Sequence, residues 1–247
     1  MRERMWKLSM KKSWRRKRSM MRFAKRGWWK ETRMIKTLPG MGITLLLVCT
    51  LVLVACESPR KFSKHGDRRL KEGTLIFSDD FERDSLGPNW IVNDAKRWRI
   101  RDGWVHGQDA LNKGLWLNQD LPRKVRIEFD ARSESPEGDL KCEVFAMTPE
   151  HQAGYIIIFG GWKNSINAIA RLDEHGKDRR QTSSPKVVKG KTHHFTIVRS
   201  GNQLDWYVDD KPVLSFHDSD PIRGNYFGFN NWKVPNYYDN LKIYSLE

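Results

Sequence analysis

The chain has 247 residues and a formal net charge of +15. Residues 1–56 hold 15 of the 45 Lys and Arg residues but only 2 of the 30 Asp and Glu residues, so this region carries +13 and the remainder carries +2. The basic character therefore belongs to the N-terminal region, and the near-neutral remainder excludes a nucleic-acid partner from our predictions.

An apolar run of 13 residues, Ile43 to Ala55, follows the basic region. A helix that crosses the bilayer needs about 20 apolar residues, whereas this length is typical of the core of a signal peptide. Met34 begins a complete short leader of this kind. We therefore predict a signal peptide over residues 34–56, preceded by a basic N-terminal extension over residues 1–33 that is either not translated or absent from the mature protein.

The apolar run closes with Leu53-Val54-Ala55-Cys56, and a polar segment follows at once. This tetrapeptide resembles the lipobox of bacterial lipoproteins, in which a peptidase cuts before the cysteine and the new N-terminal cysteine carries lipid. The resemblance implies lipidation of Cys56, a lipid bilayer as partner and an extracytoplasmic protein anchored to the cell envelope. Glu57 after the cysteine favours the outer membrane where two membranes are present. The alternative is an ordinary secretory signal with an incidental cysteine.

Cys49 lies in the signal core and Cys56 is the predicted lipid site, which leaves Cys142 alone in the mature region. A single thiol forms no internal bridge, so a packed core must stabilise the domain. The polar residues 57–72 predict a linker, and residues 73–247 are long enough to bury such a core as one domain.

Short strands separated by turn residues follow Gly73. Lys124 to Arg132 and Leu140 to Ala146 alternate apolar and polar side chains, which predicts one core face and one wet face in each. Tyr155 to Phe159 is a continuous apolar run, typical of a strand buried on both faces. Phe195 to Val208 predicts a hairpin around Ser200-Gly201-Asn202. This pattern predicts an all-β fold, an antiparallel β-sandwich.

Motifs near both ends of the domain carry a further resemblance. They are Phe77-Ser78-Asp79-Asp80-Phe81-Glu82, Trp98-Arg99-Ile100-Arg101-Asp102-Gly103-Trp104-Val105, Gly228-Phe229-Asn230-Asn231-Trp232 and Tyr238-Asp239-Asn240-Leu241-Lys242-Ile243-Tyr244. Together they resemble concanavalin A-like bacterial domains of the lectin/glucanase and laminin-G-like type, over roughly residues 74–246. The resemblance implies a jelly roll of two curved sheets whose concave face usually meets glycans, without fixing an activity.

Aromatic and polar residues occur together in two segments, one around Trp162 and one around Trp232. An indole covers the apolar face of a pyranose, while amides, arginine and carboxylates pair with its hydroxyls. We therefore predict carbohydrate as the partner, with these two tryptophans as stacking platforms and Trp116 as a third candidate. The predicted polar partners are Asn164, Arg171, Asp173, His175, Asn230 and Asn231. For His175 a solvated turn residue is the alternative, and Trp90, Trp98, Trp104 and Trp206 are expected in the core.

The alternative function is a glycan-degrading enzyme on the same fold, of the glycoside hydrolase or keto-disaccharide hydrolase type. Laminarinase-type enzymes use three alternating carboxylates on one strand, and Glu128, Asp130 and Glu134 approach that pattern except that Glu134 falls one place late. Glu128, Asp173 and Glu174 are the candidate acid/base residues, and whether the protein is an enzyme stays open. Two close carboxylates in one groove, with a raised pKa, would favour the enzyme.

The same resemblance implies a structural calcium ion where the first and last strands meet. Asp80, Glu82 and Asp239 match its carboxylate ligands by position. The alternative is that Asp239-Asn240 caps a turn. No other cofactor is required by the sequence.

Overall fold

The computed structural model describes residues 67–247. The predicted extension, the signal peptide with Cys56 and residues 57–66 of the predicted linker lie outside the described residues. Within residues 67–247 no helix is long and apolar enough to cross a bilayer.

Fifteen strands and very little helix make up the described part of the chain, which confirms the all-β prediction. A 3-10 turn, Arg68–Leu70, and one helical turn, Gly161–Asn164, are the helical elements of these residues. The strands are β1 (Thr74–Asp79), β2 (Trp90–Val92), β3 (Trp98–Arg101), β4 (Trp104–Gly107), β5 (Leu115–Leu117), β6 (Val125–Ser133), β7 (Leu140–Ala146), β8 (Tyr155–Gly160), β9 (Ile166–Arg171), β10 (Arg180–Thr182), β11 (Thr192–Ser200), β12 (Gln203–Val208), β13 (Lys211–His217), β14 (Tyr226–Asn230) and β15 (Asn236–Ser245).

The strands form two antiparallel sheets with one hydrophobic core between them. The eight-stranded sheet has the order β13-β12-β11-β6-β15-β4-β3, with β1 also paired to β15 through Thr74 and Ser245. The seven-stranded sheet has the order β10-β9-β8-β7-β14-β5-β2. Alternate side chains of both sheets enter the core, where Phe129, Phe195 and Phe229 make close aromatic contacts. This is the sandwich architecture of a jelly roll.

Several local predictions are confirmed. On β6, Val125, Ile127 and the other apolar residues are buried in the core. The predicted hairpin is β11 and β12, which turn between Ser200 and Gln203. Every residue of β8 is buried, as expected of a continuous apolar strand.

The prediction of a wet face on β7 is wrong. All seven residues of this strand are buried, including Lys141 and Glu143 on the face turned away from the core. Period-two alternation reports which residues face the core, but not whether other groups cover the opposite face. On β7, loops that carry Glu174 and His151 cover this outer face. Lys141 is paired with Glu174, and Glu143 is paired with His151.

Residues 67–72 of the predicted linker pack on the eight-stranded sheet. Arg69 lies 2.6 Å from the Asp205 carboxylate, and Tyr207 donates to Asp67 over 2.9 Å. Arg126 also donates to the carbonyl of Glu72 over 2.9 Å. These contacts attach residues 67–72 to the sheet.

Candidate functional site

A cleft of about 590 Å³ opens on the face of the seven-stranded sheet that is turned away from the core. Trp162 contributes from the β8 side, Trp232 from the β14 side, and Lys141 of β7 lies between them in the sheet order. The two indoles are 40% and 44% exposed. The lining residues are Asn112, Glu137, Asp139, Lys141, Ile158, Trp162, Lys163, Glu174, His175, Trp232, Lys233 and Val234.

Trp162 stands on a turn with unusual backbone geometry. Trp162, Lys163 and Asn164 have φ angles of 51°, 59° and 58°, all in the left-handed region. Each such residue costs about 1–2 kcal/mol relative to the right-handed form. The turn therefore needs support from residues around it.

The Asn164 side chain supplies much of that support. Its amide nitrogen donates to the Val187 carbonyl over 2.8 Å and its oxygen accepts from the Val187 amide over 3.1 Å. Gly160, which precedes the turn with φ 73°, has room for no side chain, because a Cβ would lie 2.6 Å from a Val187 methyl. These contacts hold Trp162 and Lys163 at the edge of the cleft.

Trp232 stands on a loop that Asn231 fixes from beneath. The Asn231 side chain is buried, accepts from the Ala110 amide over 3.2 Å and donates to the Val234 carbonyl over 2.7 Å. The Trp232 carbonyl accepts from the Leu111 amide over 2.9 Å. The second indole is therefore presented by a loop tied to the segment before β5.

A buried ion pair forms the floor between the two tryptophans. Lys141, whose side chain is only 4% exposed, places Nζ 3.0 Å from Glu174 Oε2 and 3.1 Å from Asn112 Oδ1. Ile158, beside Lys141 in the register of β8, adds apolar surface. The floor thus offers charged, amide and apolar groups within one cleft.

Asp139 lines the same cleft directly before β7. Burial raises the pKa of its carboxyl, and the neighbouring Glu174 and Glu137 carboxylates act in the same direction against the lowering effect of Lys141. A carboxyl in this environment favours its protonated form more than a free aspartate does.

A second buried network lies beside the floor. Glu143 is 0% exposed, pairs with His151 Nδ1 and accepts from Asn230 Nδ2 over 2.8 Å. His151 Nε2 is buried, has no hydrogen-bond partner among the described residues and lies 3.9 Å from Glu174 Oε2. The network fixes the orientation of this imidazole next to the cleft.

The structure brings four of the sequence-predicted residues to the cleft and places the others elsewhere. Trp162, His175, Glu174 and Trp232 line it, and the His175 ring lies edge-on to Trp162 at 5.5 Å. His175 remains largely exposed on the turn after β9.

The predicted amide partners lie close to the cleft, but their side chains form hydrogen bonds within the protein. Asn164, Asn230 and Asn231 all spend side-chain hydrogen bonds on protein groups, and the last two are fully buried. Short amides next to turns often complete backbone hydrogen bonding in this way. Trp116 is also buried at 0% exposure, between Gly228 and Gly114, and is not an exposed stacking residue.

The remaining candidates lie away from the cleft lining. Arg171 pairs with Asp218 over 2.8 Å, and Asp173 accepts from the His175 amide in a turn. Glu128 lies on the other sheet, where it pairs with Arg126 over 2.9 Å. Of the expected core tryptophans, Trp90, Trp98 and Trp206 are buried, whereas Trp104 is half-buried under Arg132.

The sequence reasoning missed six lining residues that carry charge or an amide: Asn112, Glu137, Asp139, Lys141, Lys163 and Lys233. The sequence did contain a signal for Lys163 and Lys233, because each directly follows one of the exposed tryptophans. Lys141 and Asp139 gave no such signal, because an alternating strand presents charges on its outer face whether or not they are later covered.

The predicted calcium residues do not converge on a ligand set. Among residues 67–247 no three His, Cys, Asp or Glu side chains lie close enough together to hold a metal ion. The Asp239 carboxylate accepts instead from the backbone and side chain of Asn240. Calcium binding stays a prediction, and no function is derived from it.

Comparisons with known proteins agree with this fold. A family model described as farnesoic acid O-methyl transferase matches residues 143–241, which is less than half of the chain. An extracellular exo-α-L-arabinofuranosidase of Streptomyces chartreusis is 22% identical over 150 residues. That match covers 61% of this chain and 18% of the relative, so the chain spans about a fifth of the length of that protein.

Solved structures with similar folds include a carbohydrate-binding module and a glucanase. Module CBM66 from Bacillus subtilis has a TM-score of 0.54 at 18% identity, with 65% of this chain and 98% of the module covered. A Bacillus licheniformis β-glucanase has a TM-score of 0.54 at 14% identity, with 71% and 99% covered. The domain has the fold of a two-sheet jelly roll. At these identities the likeness shows the fold alone.

Proposed function

We propose that this domain binds carbohydrate in the cleft, with Trp162 and Trp232 as stacking platforms. The observation that carries the proposal is the pair of exposed indoles on two turns supported by Asn164 and Asn231, one on each side of a polar floor. Large aromatic side chains left exposed beside a cleft are typical of ligand contacts. The similarity to a carbohydrate-binding module and to carbohydrate-active enzymes supports the same proposal.

The chemistry of the lining suits a sugar. Each indole can cover the apolar C–H face of one pyranose, while Lys141, Asn112 and Glu174 offer donors and acceptors for its hydroxyls. The cleft volume falls within the range of small-molecule sites, about 300–1,000 Å³. A short stretch of a glycan chain therefore fits the space between the tryptophans.

Trp162→Ala and Trp232→Ala test the proposal, with Trp104→Ala as matched control because that tryptophan lies on the other sheet. Binding of the full-length protein is measured by calorimetry against a panel of soluble glycans. We expect each cleft variant to bind at least about tenfold more weakly than the parent, as for a central aromatic contact. Equal affinity of the parent and both cleft variants for every glycan that binds would refute the proposal.

We also propose that the domain works outside the cytoplasm, held at the envelope by lipid on Cys56. The lipobox-like Leu53-Val54-Ala55-Cys56 supports this. Cys56→Ser is expected to move the protein from the membrane fraction to the soluble fraction. Unchanged fractionation would count against lipidation.

A second candidate function, glycan hydrolysis, is favoured by one observation. Asp139, whose pKa is raised by burial, and Glu174, which lies 3.0 Å from the Lys141 ammonium group, line the same cleft. Glycosidases use two carboxyl groups beside one sugar, one as the acid and the other as a carboxylate. In this candidate Asp139 is the proton donor and Glu174 the second carboxylate. Release of reducing ends by the parent, lost in both Asp139→Asn and Glu174→Gln, would support it; glycans bound without cleavage would contradict it.

A further inference from the structure

We infer that the cleft selects acidic glycans, whose uronate carboxylates or sulfate esters contact Lys163 and Lys233. The inference rests on the proposed function and names its ligand class. It starts from the position of these two lysines, each of which directly follows an exposed tryptophan and lines the cleft beside it.

Neither ammonium group has a carboxylate partner among residues 67–247. Lys163 and Lys233 are exposed, and neither forms an ion pair with any described residue. Lys233 lies 5.6 Å from the centre of the Trp232 ring. The contrast is with Lys141 in the floor, whose charge is already matched by Glu174. The two edge lysines therefore keep their charge available for a ligand.

A third cation adds to the positive side near Trp162. The Arg179 guanidinium lies 4.6 Å from the centre of the Trp162 ring and donates to the Glu174 carbonyl, not to a carboxylate. Its Nε is buried and has no hydrogen-bond partner among the described residues. An anionic group near Trp162 would meet both Arg179 and Lys163.

No acidic residue of the described cleft lining is paired with either lysine. Glu174 is paired with Lys141, and burial raises the pKa of the Asp139 carboxyl. Glu137 is exposed to solvent, where screening weakens its effect. The described lining consequently presents two unpaired ammonium groups at its edges. A neutral sugar, which offers only hydroxyl groups, does not require such charges.

The backbone at one of these lysines is strained. Lys163 keeps a left-handed conformation that glycine would adopt at lower cost, and Asn164 next to it anchors the turn. Strain of this kind is concentrated at functional sites. An ammonium group next to a stacking ring suits a sugar whose acid group lies beside the face that stacks.

The test uses the full-length protein and matched pairs of glycans. Polygalacturonic acid is compared with its carboxyl-reduced form, and dextran sulfate with dextran. The variants are Lys163→Gln with Lys233→Gln, and as control Lys211→Gln with Lys242→Gln, two exposed lysines of the other sheet. Affinity is measured at low and high salt.

We expect the parent to bind at least one acidic glycan roughly tenfold more tightly than its neutral form, with a preference that salt weakens. The cleft double variant should lose this preference and keep its affinity for neutral glycan, whereas the control variant should match the parent. A preference for polygalacturonic acid would indicate a carboxylate ligand, and a preference for dextran sulfate would indicate a sulfate ester. Equal, salt-independent binding of acidic and neutral forms would overturn the inference while leaving glycan binding intact. Binding of no glycan would overturn both.

Discussion

Lys141 Nζ lies 3.0 Å from Glu174 Oε2 and joins the centre of the seven-stranded sheet to the loop between β9 and β10. The lysine is almost fully buried, and Asn112 is the only other hydrogen-bond partner of its Nζ among the described residues. A buried charge that loses its partner is costly, which makes this pair a sensitive point of the cleft.

Lys141→Met is expected to lower the free energy of unfolding by about 2–3 kcal/mol, because it leaves Glu174 without its counter-charge next to Asp139. Chemical denaturation at neutral pH measures the change. The double variant Lys141→Met with Glu174→Gln should recover part of the loss, since no unpaired charge then remains. Losses that simply add in the double variant would show that the two residues do not interact.

Lys163→Gly should raise the free energy of unfolding by about 0.5–1 kcal/mol and weaken binding of acidic glycan. Glycine adopts the left-handed angles of this position without strain, but it removes the ammonium group. Lys163→Ala is the matched control, because it removes the charge and keeps the strain. It should weaken binding equally without a gain in stability. A glycine variant less stable than the alanine variant would contradict this account.

Asp239→Asn is expected to stabilise the domain at pH 7 by about 1 kcal/mol. Burial, together with the Asp130, Glu82 and Asp80 carboxylates, raises the pKa of Asp239 to about 6. A free aspartate has a pKa near 3.9, so the folded state holds this proton more tightly than the unfolded state. The cost of ionising Asp239 therefore appears between pH values of about 4 and 6 and is complete above about 6. Asparagine avoids that cost.

Thermal denaturation of parent and variant over this pH range, with a chelator present, measures the effect. The difference in stability should vanish at the acidic end, and a difference that stays constant with pH would contradict the prediction. Added calcium that stabilises the parent but not Asp239→Asn would support the predicted calcium site.

Cys142 should resist alkylation in the folded protein. Its thiol is fully buried on the core side of β7, and burial raises its pKa, so little reactive thiolate forms. We expect no labelling of the Cys142 peptide by iodoacetamide under native conditions and complete labelling in denaturant, followed by mass spectrometry. Fast native labelling would mean that β7 opens locally.

The sandwich itself was predictable because its signals are local. Alternation along β6, the continuous apolar run of β8 and the turn at Gly201 each report burial or chain reversal within a few residues. The two exposed tryptophans were also found from sequence, since each is flanked by small or amide residues that suit a turn.

The floor of the cleft was not predictable in the same way. Lys141 and Glu143 have the sequence pattern of solvated charges, and only the packing of distant loops carrying Glu174 and His151 buries them. Likewise Asn231 looked like a ligand partner, whereas its amide holds a loop. Contacts between residues far apart in the sequence decide which polar side chains remain free to bind a ligand. The local sequence pattern does not reveal these contacts.

The pairing of β1 with β15 has a consequence for protein engineering. Thr74 lies opposite Ser245, so the two extremes of the sandwich are neighbours, and Gly201 in the β11–β12 turn has open space around it. A short peptide linker between Ser245 and Thr74, with new chain termini at Gly201, would give a circularly permuted chain with the same strand neighbours. The order of the strands along the chain could thus change while their neighbours in the sheets stay the same. A fused partner could then be attached at a different corner of the domain.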